Sequence, residues 1–424
     1  MTTPGYQSGC LAGSQVSGIA VAPRGYAIAV NLNNGNVNRN HQSNHYSALP
    51  CRPGECQGVT PRQLRTAWRA ARRGKQATWE RLSFEADWMG RLIDLEERLN
   101  AGTWTPAAPT VRIEKHPKLR QIHAPEFIDR VVHWLVVGAI EPDWERVFVH
   151  SSYSNRKGKG THAAVRQLHR YVRQVHSGQG GGFYLQLDIR SYFLSINRRR
   201  AYAMLKARME RANVPWAIRK AVHALLTHPV SRTGVRWACS KAERDAVPLH
   251  KRLENAAPGC GLPIGNLFSQ FVGNAYLNQF DQFVKHVLKV ERYVRYVDDI
   301  VLVHHSREQL EAWRLQIIQF LRDELALELK PEQKLRPLTD GIDFLGYIVR
   351  PTHLTVRRRV ISHCRAKLAQ FERCGADPAR IRSTWASYEG HFRHARSYRL
   401  RQRIHARFPW LAQILNPSED PHAT

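Results

Sequence analysis

Tyr293-Val294-Arg295-Tyr296-Val297-Asp298-Asp299-Ile300-Val301-Leu302-Val303 sets two adjacent carboxylates between two runs of strand-forming residues. Val294, Tyr296 and the run Ile300 to Val303 have β composition, and Asp-Asp is a turn dipeptide. The stretch therefore predicts a β-hairpin with Asp298 and Asp299 at its tip. Two anions so close repel one another unless a cation lies between them. Hard divalent ions such as Mg²⁺ take oxygen ligands, so a third carboxylate from another strand would complete a site for metal and a triphosphate. Asp188, which closes the apolar run Phe183-Tyr184-Leu185-Gln186-Leu187, is the candidate. An isolated Asp-Asp turn more often does no more than end strands; here the rest of the chain decides.

The 424 residues are 43% hydrophobic, enough for a sizeable core divided into two or three structural units. Lys and Arg total 64 against 35 Asp and Glu, a net charge of +29 that calls for a polyanionic partner, nucleic acid first. A membrane surface is the rival, but no apolar run approaches the ~18 residues of a transmembrane helix and no basic-then-apolar leader opens the chain. The expectation is a cytoplasmic protein that does not engage membrane. Seven cysteines without a Cys-x-x-Cys pair suit reduced thiols. His41, His45, Cys51 and Cys56 have zinc-ligand chemistry, yet the gap between the His and Cys pairs is too short for the usual finger loop.

Residues 1–60 form an Asn- and Gly-rich leader, with seven Asn between Asn31 and Asn44, that buries little apolar surface. From Pro61 the pattern turns helical: Leu64, Trp68 and Ala71 recur at helical spacing, then Leu92, Leu95 and Leu99, with Gly102 as the stop. Residues 61–350 mix strands and helices. Val111 to His116 and Leu119 to Ala124 predict a hairpin, Glu126 to Ile140 a helix, Phe183 to Ile189 a strand, and Arg198 to Arg211 a helix. Pro263 to Asp281 predicts one buried helix and Arg307 to Leu325 another. Residues 351–424 are a basic helical region in which Arg alternates with Trp385, Tyr388, Phe392 and Tyr398, a pattern suited to tracking a duplex backbone.

Tyr296-Val297-Asp298-Asp299 resembles the [Tyr/Phe]-x-Asp-Asp box of reverse transcriptases, and further boxes of that family follow in order. The resemblance implies an α+β right-hand polymerase: fingers, a palm whose antiparallel sheet carries the catalytic Asp residues, and a helical thumb. It implies an RNA-directed DNA polymerase that joins a 3′-hydroxyl to an α-phosphate with two Mg²⁺ ions, Mn²⁺ serving as substitute. Asp188, Ile189, Asp298 and Asp299 would form the metal site, Asp188 and Asp298 bridging both ions. Phe193, five residues after Asp188, matches the aromatic under the incoming sugar that excludes a 2′-hydroxyl; alone it would pass for core.

The segment Lys115 to Val132 resembles the fingers box, with Arg120, or Lys118 in its place, on the triphosphate. Ser152 to Val165 resembles the next box, where Gly158 and Gly160 allow close backbone approach while Arg156, Lys157 and Lys159 bring charge to nucleotide or template. Gly261 to Asp281 resembles the segment against the templating pair, with Gly265 giving the nucleotide clearance. Leu327 to Lys334 resembles the box after the metal hairpin, which implies Lys330 as a candidate general acid for pyrophosphate. Gly341 to Val349, centred on Phe344-Leu345-Gly346-Tyr347, resembles the primer grip, and Tyr296, Arg357 and Arg358 join the nucleic-acid contacts.

Most of the family carries Gln-Gly-x-x-x-Ser-Pro in the templating-pair box. Ile264-Gly265-Asn266-Leu267-Phe268-Ser269-Gln270 resembles instead the diversity-generating retroelement group, relatives of group II intron and retron enzymes that misincorporate opposite template adenines. The leader segment from Gly25 to Gly54 resembles the end of the variable region in that group's target proteins, as though the reading frame ran through a template repeat. The implied partners are template RNA, the RNA–DNA duplex, deoxynucleoside triphosphates and a basic oligomeric accessory protein, in a bacterial or phage-encoded system. Two alternatives stand beside it: a retron-like or antiphage-defence reverse transcriptase, and a non-catalytic maturase-like RNA-binding protein.

Overall fold

The run Ile300–Val303 is apolar at every position because both faces of its sheet are covered. Four antiparallel strands lie in the order Tyr293–Tyr296, Asp299–His304, Phe183–Asp188, Lys334–Pro337. Leu185, Leu187, Tyr293, Ile300 and Leu302 face the larger core, built with the helices Phe127–Glu145, Leu267–Tyr276 and Arg307–Leu325. Tyr184, Val294, Val301 and Val303 alternate onto the other face, under the helix Thr161–Gln179 and the strands Ile342–Phe344 and Tyr347–Val349. The class is α+β, as expected.

The computed structural model describes residues 58–74, 77–115, 118–179, 181–228 and 234–415, together with a short ladder of Ala20–Val21 against Ala27–Ile28. The Asn-rich tract and the His41, His45, Cys51 and Cys56 group lie outside the described residues. Residues 1–58 and 59–424 separate as two units. Among the described residues no helix is long and apolar enough to cross a membrane.

The second unit opens on the helix Pro61–Arg72, where Thr60 and Gln63 form a reciprocal capping box that satisfies orphan N–H groups. The predicted stripe of Leu64, Trp68 and Ala71 is buried, and Ala67 joins it. The hairpin Thr110–Glu114 with Arg120–Ala124 forms as predicted and gains a parallel third strand, Arg236–Trp237. The helix Arg198–Arg211 matches its predicted limits. Pro263 to Asp281 does not form one helix: Asn266 caps a helix at Leu267–Tyr276, and the chain re-forms as Asn278–Gln282 before a π-helical turn. Beyond Val356 four helices, Arg358–Cys374, Pro378–Phe392, Tyr398–Arg407 and Trp410–Leu415, close a third core. Trp385 and Phe392 are buried in it, so they hold the helices together rather than present rings to a duplex.

Asp129, in the first turn of Phe127–Glu145, is buried and accepts the Ala107 N–H at 2.8 Å. Burial, aided by Glu126 and Glu80 and opposed by that hydrogen bond and Arg98, pushes its carboxyl up to about 7. A folded-state value above the unfolded one means stability present at low pH and lost as pH rises through about 7. Asp129→Asn is therefore expected to flatten the stability profile between about pH 4 and 7 in urea titrations. Parallel profiles for the two proteins would remove Asp129 as the cause.

Candidate active site

Tyr296 pairs with Asp299, so the turn is Val297-Asp298, one residue earlier than the Asp-Asp turn predicted. Asp299 belongs to its strand, and Asp188 lies directly opposite it in the central strand. Residues facing each other in an antiparallel pair share a face, so register alone makes Asp188 and Asp299 neighbours, with Asp298 beside them at the tip. The turn places Val297 at φ 56°. A β-branched residue there is an outlier, and such strain costs on the order of 1–3 kcal/mol.

The electrostatics follow from three carboxylates at one sheet end. Burial, then the charges of Asp298 and Asp188, push the Asp299 carboxyl up to about 7, with Lys330 and Lys118 opposing. Asp298 is raised by burial and by Asp188, opposed by a backbone hydrogen bond, Lys330 and Arg120. Lys330 donates from Nζ to Asp188 Oδ2 at 2.5 Å and from its backbone N–H to the Asp188 carbonyl at 2.8 Å. Asp188 Oδ1 is buried without a hydrogen-bond partner. Among the described residues no group of three or more His, Cys, Asp or Glu side chains is gathered into a ready-made cage. The donor set at the sheet end is all oxygen, as Mg²⁺ requires, and the buried, unpartnered Asp188 Oδ1 is free to serve as a ligand. The residues fit a divalent ion. The Ile189 side chain is wholly buried and aliphatic, so only its carbonyl could join them.

The expected nucleotide residues converge from two other elements. Arg120 begins its strand and Lys118 precedes it, both exposed, and their charges reach Asp298 and Asp299 respectively. His123 in the same strand donates its N–H to the Ile264 carbonyl at 2.8 Å. Gly265, at φ 114°, has no room for a Cβ, which would lie 2.6 Å from Ile122 Cγ2. The close approach it permits is thus to the fingers strand, where clearance for the nucleotide was expected. Phe193 is half-buried in the short helix Tyr192–Ser195, 5.3 Å from the Tyr192 ring. Tyr192 fixes that helix by donating to the Gly273 carbonyl, and a Cβ at Gly273 would come within 3.2 Å of Phe193 Cε1. Gln270, half-buried, lies three residues before Gly273 on the helix that backs Phe193.

The expected nucleic-acid contacts divide. Arg156 is corrected: its guanidinium holds Glu145 at 2.7 Å and the carbonyls of Val149 and Ser152 at 2.7 and 2.9 Å, so it braces its loop. Lys159 donates to the His150 carbonyl at 3.0 Å, whereas Lys157 is exposed. Phe344 is corrected too, being core and paired with Tyr347. The tip of the hairpin expected to act as primer grip is Leu345-Gly346, a two-residue turn with φ 50° and 89°. Tyr296 is half-buried with Thr161 Oγ1 3.3 Å from its hydroxyl. Arg357 pairs with Asp343 at 3.0 Å, and Arg358 is exposed at the start of its helix.

Sequence reasoning missed what lies beneath the turn. Arg295 and Asp281 are both wholly buried and joined at 2.7 and 2.5 Å, with Tyr293, Ser152 and Asn274 around them. The available signal was an Arg inside a strand run otherwise apolar, which burial permits only with a partner.

The chain matches the family described as reverse transcriptase (RNA-dependent DNA polymerase) over residues 113–349. Protein YkfC of Escherichia coli (strain K12) is 26% identical over 304 residues, covering 63% of this chain and 74% of that protein. A structure of telomerase from Candida albicans, in complex with a fragment of telomeric RNA, is 10% identical with a TM-score of 0.38. That alignment covers 66% of this chain and 55% of the telomerase, and a likeness so loose carries no argument. The family match spans more than half of the residues and encloses all three carboxylates, and the chain belongs to the reverse transcriptase family, an RNA-directed DNA polymerase.

Proposed function

We propose that this polymerase copies a template-repeat RNA into cDNA with adenine-directed misincorporation, serving a diversity-generating retroelement. The observation that carries this is Ile264, which stands where most of the family has Gln and whose carbonyl is tied to the strand that begins with Arg120. A Gln there could hydrogen-bond near the incoming sugar and help Arg120 hold the nucleotide against the template. Ile cannot. The segment from Gly25 to Gly54, with its Asn-rich tract, supports the same assignment through its resemblance to the end of the variable region in that group's target proteins.

In the proposed site Asp188, Asp298 and Asp299, with the Ile189 carbonyl, would hold two Mg²⁺ ions. Bound there, the metal would neutralise the triphosphate and ease deprotonation of the primer 3′-hydroxyl. Arg120 and Lys118 bind the triphosphate, and Lys330 carries the proton destined for pyrophosphate. Phe193 walls off the 2′ position, while Lys157, Arg358 and the Leu345-Gly346 tip contact the nucleic acid. The partners are template RNA, its DNA hybrid, deoxynucleoside triphosphates and a basic oligomeric accessory protein.

Ile264→Gln is expected to lower misincorporation opposite template adenine more than opposite other bases. Because ~1.4 kcal/mol changes selectivity tenfold, one recovered hydrogen bond suffices for a measurable shift. Sequenced cDNA from a defined primed RNA checks this, and equal adenine error rates in both proteins would remove Ile264 from the mechanism.

A further inference from the structure

Asp298 sits at the end of a turn that its own sequence disfavours. Val297 holds φ 56°, a conformation that glycine adopts freely and a β-branched residue avoids. Left to itself, the turn would relax toward ordinary backbone angles and move the Asp298 carboxylate away from Asp188. One side chain grips it. Arg295 donates from Nη1 to the Val297 carbonyl at 3.0 Å.

That guanidinium has no freedom of its own. Nε and Nη2 hold the two oxygens of Asp281 at 2.7 and 2.5 Å, and Nη2 also donates to Ser152 Oγ at 3.0 Å. Tyr293 donates its hydroxyl to Asp281 Oδ1 at 2.6 Å. Asn274 Oδ1 lies 3.4 Å from Nη1 while its amide is fixed on the Ser154 carbonyl at 2.6 Å. Arg295 is also held by its backbone, its N–H on the Ser151 carbonyl and its carbonyl taking the Tyr153 N–H. A planar fork in which every arm has a partner transmits position, whereas a flexible lysine would not.

We propose that Arg295 is a positioning residue for Asp298: locked by Asp281, it clamps the strained Val297 turn so that the carboxylate stays aimed at the metal site. The assignment rests on the carboxylate site proposed above, and it adds a residue that touches neither nucleotide nor metal. Removing the clamp loosens a ligand without removing it, so metal affinity falls and nucleic-acid binding does not.

Arg295→Lys keeps a cation for Asp281 but gives up the fork, and Arg295→Met with Asp281→Leu replaces the buried pair by apolar side chains, an exchange that folds often tolerate. Each is examined for its thermal unfolding midpoint, for Mn²⁺ bound by electron paramagnetic resonance in complex with a chain-terminated primer on RNA and matched nucleotide, and for the Mg²⁺ concentration giving half-maximal extension. In the folded variants the expected result is Mn²⁺ affinity weakened by about 10-fold or more, the scale of losing a residue that orients a ligand, with a matching rise in Mg²⁺ requirement and unchanged primed-RNA binding. In a Val297→Gly background, where the turn holds without the clamp, the penalty of Arg295→Lys should shrink, a non-additivity that mere core packing would not give. Wild-type metal affinity in the folded variants, additive effects with Val297→Gly, or unfolding of both variants would overturn the proposal. Asp298→Asn run alongside separates the two failures: if it remains active, the carboxylate assignment itself is wrong, and if it is dead while Arg295→Lys behaves as wild type, only the clamp is.

Discussion

Asp298→Asn is expected to lower primer extension by ~10³-fold or more, the scale of losing a principal electrostatic element of catalysis. Asparagine keeps the shape of the side chain and its place in the turn, so the change is one of charge. Asp298 lies with Asp188 and Asp299 at one end of the central sheet, and removing its charge would leave the proposed metal site one anion short. Asp188→Asn should be as damaging, and it also breaks the ion pair with Lys330 at 2.5 Å. Binding of primed RNA should survive both changes, because a net charge of +29 spreads the phosphate contacts over many Arg and Lys side chains. Gel-shift titration beside single-turnover extension separates the two properties. Extension at an undiminished rate in either variant would break the metal assignment.

Phe193→Ala is expected to admit ribonucleotides, with discrimination falling by about 10²-fold, the scale at which apolar walls distinguish substrates differing by one hydroxyl. The ring is half-buried between Tyr192 and the Gly273 surface of the neighbouring helix, so one edge remains available to a ligand. Deoxynucleotide use should be largely retained, since Phe193 carries no charge that the chemistry needs. Truncation also removes packing, and a thermal midpoint measured on the same sample shows how much of any loss is stability. An unchanged ratio of deoxynucleotide to ribonucleotide efficiency would make Phe193 a core residue and nothing more.

The parts of the fold that were legible in the sequence are those governed by local periodicity. Helix Arg198–Arg211 and the apolar strand around Ile300 carry their pattern within one segment. The carboxylates stood out because Tyr296-Val297-Asp298-Asp299 lies in order with further boxes of one family, whereas an Asp-Asp turn alone more often only ends strands. Tertiary choices were not legible. Pro263 to Asp281 does not continue as one helix because Pro263 and Gly265 break its start and Asn266 caps the helix, while Ile264 and Gly265 meet the strand Arg120–Ala124. Arg156 looked like free charge beside two glycines until the fold delivered Glu145 to it. The aromatics Trp385 and Phe392 could equally line a duplex or a core, and only the packing of four helices makes them core. The turn lies one residue earlier than Asp-Asp composition suggests, at Val297-Asp298, where Val297 takes φ 56° and its carbonyl accepts from Arg295, whose partners come from distant segments that no local pattern displays.

Asp188, Asp298 and Asp299 are proposed to form one divalent-ion site. Its most direct test is the number of Mn²⁺ ions bound per chain, counted by electron paramagnetic resonance in the complex with chain-terminated primer, template RNA and matched deoxynucleoside triphosphate. The account expects about two ions in the wild type and a clear loss in Asp188→Asn. Full Mn²⁺ occupancy in Asp188→Asn, equal to that of the wild type, would contradict it.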